Sequence, residues 1–205
     1  MKAAYLAIDI ETTGLDPERH QILEIAGVLN LSQMDVMRCP HFHFIVAPYG
    51  DIVGSPFALA MNQRLLRTIS DGDGWAACNV VTEIDLKLNR WRKRYGIDTF
   101  HPLGKNVGGF DMQFLKRLEQ WPAHQFSYRC LDVGSMYATL DGISGQSDLI
   151  DEIEKGLGIE GEEHQALHDA RVSLELARRR FRDYIFNGMY GTPELCQQTC
   201  EMEKR

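Results

Sequence analysis

Tyr5-Leu-Ala-Ile-Asp9-Ile-Glu11-Thr-Thr-Gly-Leu15 is an apolar run that ends in two carboxylates. A short run of this composition fills a buried strand. Asp9 and Glu11 lie two residues apart, so on a strand both project from the same face. Like charges buried side by side are costly unless something neutralises them. A divalent cation is the simplest neutraliser. The stretch therefore points to a central strand whose end carries metal-dependent chemistry, and the rest of the chain can be read for the missing ligands.

Working outward, Thr12-Thr-Gly-Leu-Asp-Pro17 is a turn, broken by Gly14 and Pro17. Residues 21–31 and 41–47 read as two further strands. Ser55-Pro56 opens a helix expected to run to Ile69, with proline at the start where it is tolerated. Asp71 to Gly74 is a loop, and Trp75 to Tyr95 has helical spacing and ends in the basic run Arg90-Trp-Arg-Lys-Arg94. Phe100 to Val107 reads as a strand. Phe110 to Trp121 reads as a helix, with Phe110, Phe114, Leu118 and Trp121 on one face. Ser127 to Val133 is a further strand and Leu149 to Leu157 a helix. A final helix starts near Gln165, with Leu167, Ala170, Leu174, Ala177, Phe181 and Tyr184 as its apolar stripe. Strands alternating with helices after an initial strand cluster imply an α/β domain on a mixed sheet. Residues 187–205 are polar and broken by Gly188, Gly191 and Pro193; they read as a tail or a partner-binding extension.

Composition sets the class. The 205 residues suit one domain, expected over 1–186, and 44% hydrophobic with 25% charged residues is ordinary for a globular protein. A net charge of −7 argues against coating nucleic acid by bulk charge, though not against gripping a short stretch through metals. Cys39, Cys78, Cys130, Cys196 and Cys200 form no disulfide framework, and the Cys196/Cys200 pair lacks a second pair that would complete a zinc site. Neither a signal peptide nor a membrane span is legible, so a cytoplasmic protein is expected.

A hard cation takes oxygen ligands, and a two-metal site needs about three or four carboxylates. Asp111 follows a strand and a Gly-Gly break at the start of a helix, where a carboxylate meets the positive end of the helix dipole. That position also suits a plain capping residue. Asp169 borders the apolar stripe of the last helix, where a lone carboxylate needs a partner. His164 lies five residues earlier.

Together, Asp9-Ile-Glu11-Thr-Thr-Gly-Leu15, Gly104-Lys-Asn-Val-Gly-Gly-Phe-Asp111-Met-Gln-Phe-Leu115 and His164-Gln-Ala-Leu-His-Asp169-Ala resemble the three motifs of the DEDDh (DnaQ-like) 3′–5′ exonuclease family of the RNase H-like superfamily. The resemblance spans residues 3–186. A sister branch carries tyrosine four residues before the last acid, where this chain has Gln165, so the histidine branch is indicated. The implied fold is an RNase H-like α/β domain with a mixed five-stranded sheet flanked by helices.

The resemblance implies that Asp9, Glu11, Asp111 and Asp169 hold two Mg²⁺ ions, with Mn²⁺ able to substitute, and that Asp9 bridges them. It implies that His164 takes a proton from the attacking water; a free imidazole, with a pKa of about 6.5, suits that role near neutral pH. The implied product is a nucleoside 5′-monophosphate released from a free 3′ end, with single-stranded DNA expected as substrate and RNA, in an oligoribonuclease or RNA-trimming enzyme, as the alternative. A decayed nucleic-acid-binding module is the competing class, but no metal ligand or base is missing. Thr12, Thr13, Gly14 and Leu15 are expected to meet the terminal nucleotide, with Met61, Asn62 and Asn106 as further substrate contacts. A polymerase or another replication or repair partner is expected to use the tail. His168, four residues after His164, matches a zinc-helix spacing but would leave the acids unexplained, so no catalytic role is expected for it. His41 and His43 read as plain strand surface. The Arg90–Arg94 run, Arg178-Arg-Arg180 and Arg182 can be read either as backbone-phosphate guides or as solvated helix faces.

Overall fold

A computed structural model describes residues 2–137, 155–159, 161 and 164–184. Six strands form one sheet: β1 (Ala3–Thr12), β2 (Ile22–Leu29), β3 (His41–Ala47), β4 (Trp75–Ala76), β5 (Thr99–Gly104) and β6 (Leu131–Asp132). Their order is β4-β3-β2-β1-β5-β6. β1 pairs antiparallel with β2 and parallel with β5, which makes the sheet mixed. The expected mixed α/β sheet is present, with six strands instead of five, because Trp75 and Ala76 pair with Val46 and Ala47 before their helix begins.

The period-two alternation of β1 determines which side of the sheet each residue serves. Leu6, Ile8 and Ile10 enter a core with Ile84, Leu88 and Trp91 of α3 (Ala77–Tyr95). Ala7 faces the opposite way, into a second core with Ala170, Leu174 and Ala177 of α6 (Ala166–Tyr184). Each fully buried aliphatic side chain in these layers contributes about 1.5–3 kcal/mol. Asp9 and Glu11 continue the Ala7 face, so the helix that buries Ala7 also brings its own first turn to the carboxylates. β2 is buried along its whole length. Gly27 lies under the ring of Phe42, which an added Cβ would strike.

Several elements differ from the expectations. The helix expected over 55–69 is two, α1 (Pro56–Met61) and α2 (Gln63–Ser70), parted at Asn62. The helix expected over 110–121 is only α4 (Asp111–Leu115), followed by turns. Pro122 disfavours helix at Trp121, and Gln120 takes a left-handed φ of 62°. The strand expected over 127–133 shrinks to β6, because the Asp132 side chain accepts from the Gly134 N–H at 3.0 Å and starts α5 (Val133–Met136). The expected 149–157 helix falls mostly outside the described residues, and the 187–205 tail lies entirely outside them. No described helix is long and apolar enough to cross a membrane.

Candidate active site

The C-terminal end of β1 brings Asp9 and Glu11 to the start of α6. Ligand atoms of Glu11, His164 and Asp169 all lie within 4.8 Å of one another. The Asp169 carboxylate accepts the backbone N–H of His164 at 3.1 Å, so the acid holds the histidine's segment against its own helix. His164 is exposed and takes a left-handed φ of 60°, a conformation histidine tolerates better than most residues. Asp111 approaches from α4, buried, and accepts the Ile10 N–H at 3.1 Å.

Electrostatics ties these acids into one site. Burial raises the Asp9 carboxyl well above its ordinary value; Asp111, Asp169 and Glu11 raise it further, and Lys105 opposes them. Burial also raises Glu11, against a hydrogen bond from the Asn62 side chain and the charge of His164. Asp111 is raised from 3.8 to about 7, by burial first, despite the Ile10 N–H. Clustered acids that resist ionising fit a doubly charged cation bound by oxygen donors.

The sign of the Asp111 shift gives a testable consequence. A carboxyl with a raised folded pKa contributes stability that is fully present below its unfolded value of 3.8 and is lost as pH rises through about 7. In chelator, Asp111→Asn should therefore be more stable than the parent at pH 8, by an amount on the order of a few kcal/mol, and level with it at pH 4. Asparagine still offers an oxygen to the Ile10 N–H. Calorimetric melts across that range check this; a gap that does not widen with pH contradicts the coupling.

The turn after β1 is built from inside. Thr13 is fully buried, and its N–H donates to Gln21 O at 2.9 Å. Its hydroxyl donates to Val53 O at 2.6 Å and accepts from the Gln21 N–H. Asn62 is buried as well and donates through Nδ2 to Thr12 O at 3.1 Å. Thr13 and Asn62 therefore shape the turn, and their described groups face inward. The Thr12 hydroxyl donates to Gly14 O at 2.7 Å. Gly14 lies against the His20 ring, which an added Cβ would meet at 2.5 Å. Leu15, by contrast, is 82% exposed, and Met61 and Phe57 are exposed on α1. Asn106 is exposed beside a cavity of about 490 Å³ lined by Gly109, Met112, Lys116, Phe126 and Tyr128.

No protein-family model matches the chain. The oligoribonuclease of Vibrio campbellii is 27% identical over 191 residues, covering 87% of this chain and 93% of that one. That of Coxiella burnetii is 26% identical over 195 residues, covering 88% and 93%. Among solved structures, the nuclease domain of 3′hExo, a DEDDh family member bound to rAMP, matches with a TM-score of 0.60 at 18% identity over 88% of this chain and 92% of that one. The E. coli ExoI–ssDNA complex matches with a TM-score of 0.62 at 18% identity, over 91% of this chain and 43% of that one. The chain shares the fold of these exonuclease structures.

Several arginines of the basic runs make bonds within the chain. Arg90–Arg94 ends α3 near Lys2, whose Nζ donates to Tyr95 O at 2.7 Å. Lys2 precedes β1, and at about 3.3 Å per residue the carboxylates lie roughly 23–30 Å along the strand from it. Arg178 donates to Asn30 Oδ1 and to the carbonyls of Leu31 and Met34; Arg180 donates to Met136 O, and Arg182 pairs with Glu175. Arg178 and Arg180 thereby tie α6 to the segments around Asn30 and Met136. His43 is not plain strand surface, since its Nε2 donates to Glu24 at 2.7 Å. Glu24 itself was missed from sequence, although an acid inside Ile22-Leu-Glu-Ile-Ala-Gly-Val-Leu29 is the same kind of signal as Asp9. Burial raises the Glu24 carboxyl, but His43, the Ala166 N–H and Arg64 outweigh burial and hold it below its ordinary value.

Proposed function

We propose that this chain is a metal-dependent 3′–5′ exonuclease that releases nucleoside 5′-monophosphates from nucleic acid in the cytoplasm. The observation that carries this reading is the convergence of Glu11, His164 and Asp169 within 4.8 Å beside the mutually repelling Asp9 and Asp111. Asp9, Glu11, Asp111 and Asp169 would hold two divalent cations, Mg²⁺ or Mn²⁺, which when bound supply charge stabilisation for the attacking and leaving oxygens. His164 takes the proton as a water oxygen bonds to phosphorus. The bond from phosphorus to the 3′ oxygen of the preceding nucleotide breaks, and that oxygen regains a proton from solvent. Leu15 and Met61 present apolar surface to the terminal base. Asn106 stands beside the neighbouring cavity, and Thr12 to Gly14 supply the turn that seats the 3′ end. His168 has no part in this chemistry.

The expected substrate is single-stranded DNA. The similarity to oligoribonucleases along nearly the whole chain favours short RNA as a second reading. A gel of 5′-labelled DNA and RNA, long and very short, with Mg²⁺, Mn²⁺ or chelator distinguishes them. The expected result is a ladder shortening from the 3′ end, stopped by chelator and by a blocked 3′ terminus. Internal cuts, or hydrolysis that survives chelation, would overturn the reading. Binding without hydrolysis would support the decayed module instead.

A further inference from the structure

Among the described residues, Glu24 is the buried acid outside the four expected metal ligands, and it is 1% exposed on a strand buried throughout. A carboxylate in such a place is stable only if paired and hydrogen-bonded. Oε1 accepts from His43 Nε2 at 2.7 Å, with Arg64 at 3.4 Å. Oε2 accepts the backbone N–H of Ala166 at 3.0 Å, reaching 142 residues along the chain. Ala166 is the first residue of α6, where N–H groups lack helical partners and the helix dipole attracts an anion.

That contact falls between the two groups α6 brings to the site. Ala166 lies between His164 and Asp169, and these two are joined by the His164 N–H to Asp169 bond. Glu24 also stands directly opposite Glu11 in the β1–β2 register. One carboxylate therefore links the strand position beside Glu11 to the helix start that carries His164 and Asp169. We infer that Glu24 is a positioning residue: anchored by His43 and Arg64, it pins the N-terminus of α6 and so sets His164 and Asp169 at working distance from Glu11. Its effect on rate rests on the exonuclease reading above; its effect on the α6 start does not.

The test compares Glu24→Ala, Glu24→Asp and Glu24→Gln in the full chain by steady-state kinetics and by hydrogen–deuterium exchange. Glu24→Ala should lose about 10–100-fold in kcat with KM within about threefold, the usual scale for residues that orient metal ligands. Exchange in the 164–170 peptide should quicken about tenfold or more while α3 peptides stay unchanged, as expected for a local opening. Glu24→Gln should restore both, since its carbonyl oxygen can accept from Ala166 and its amide can donate to an unprotonated His43 nitrogen. If Glu24→Ala does not fold, Glu24→Asp keeps the charge, but its shorter side chain cannot reach His43 and Ala166 together, and the same pattern is expected at smaller size. Unchanged kcat and exchange in a folded variant overturn the proposal, as does exchange that rises equally in α3, or a Gln variant as impaired as Ala. If the parent protein shows no hydrolysis, the exonuclease reading falls and the exchange comparison alone decides the role of Glu24.

Discussion

Asp9→Asn should abolish metal-dependent hydrolysis, with a loss of at least about 10³-fold, because the carboxylate that would serve both proposed cations becomes a neutral amide. Asp9 sits at the end of the central strand, and after burial its carboxyl is raised by Asp111, Asp169 and Glu11 together. It is the point where the charges of the other three acids converge. Removing its charge relieves repulsion, so the variant should fold and melt no lower than the parent in chelator. A folded Asp9→Asn protein that keeps activity within about tenfold would sink the two-metal assignment.

His164→Ala should lower kcat by about 10²–10⁴-fold, the usual contribution of a positioned general base. His164 is exposed and contributes nothing to either core, so the loss should not come from unfolding. Its left-handed backbone adds a complication, since alanine adopts φ of 60° less readily than histidine. His164→Asn serves as the control: asparagine tolerates that conformation but is no base, and it should be equally slow. In both variants the shape of the pH–rate profile should change. A pH–rate profile that keeps its shape, or an Asn variant near full activity, removes His164 from the role.

What the sequence reveals follows the range of the interactions involved. Asp9 and Glu11 are legible because a strand repeats every two residues, and the alternation that buries Ile8 and Ile10 leaves the carboxylates on the other face. The last helix is legible for the same kind of reason, with Ala170, Leu174 and Ala177 buried as the spacing predicts. Features that depend on distant partners are not legible. Asn62 parts α1 from α2 while bonding to Thr12, 50 residues away. Arg178 reads as a free cation until Asn30, 148 residues away, takes up its guanidinium. Glu24 looks like an odd residue in an apolar strand until the start of α6 comes to it. The expected turn at Thr12 to Leu15 is present, but which of its groups face a substrate depends on Gln21, Val53 and Asn62 and could not be read locally.

The measurement that bears most directly on the central claim is a count of bound Mn²⁺ by calorimetry or electron paramagnetic resonance, with a nucleoside 5′-monophosphate present to complete the site. The four-carboxylate site predicts two ions per chain in the parent protein and loss of both in Asp9→Asn. One ion or none in the parent, or two ions retained without Asp9, would contradict it.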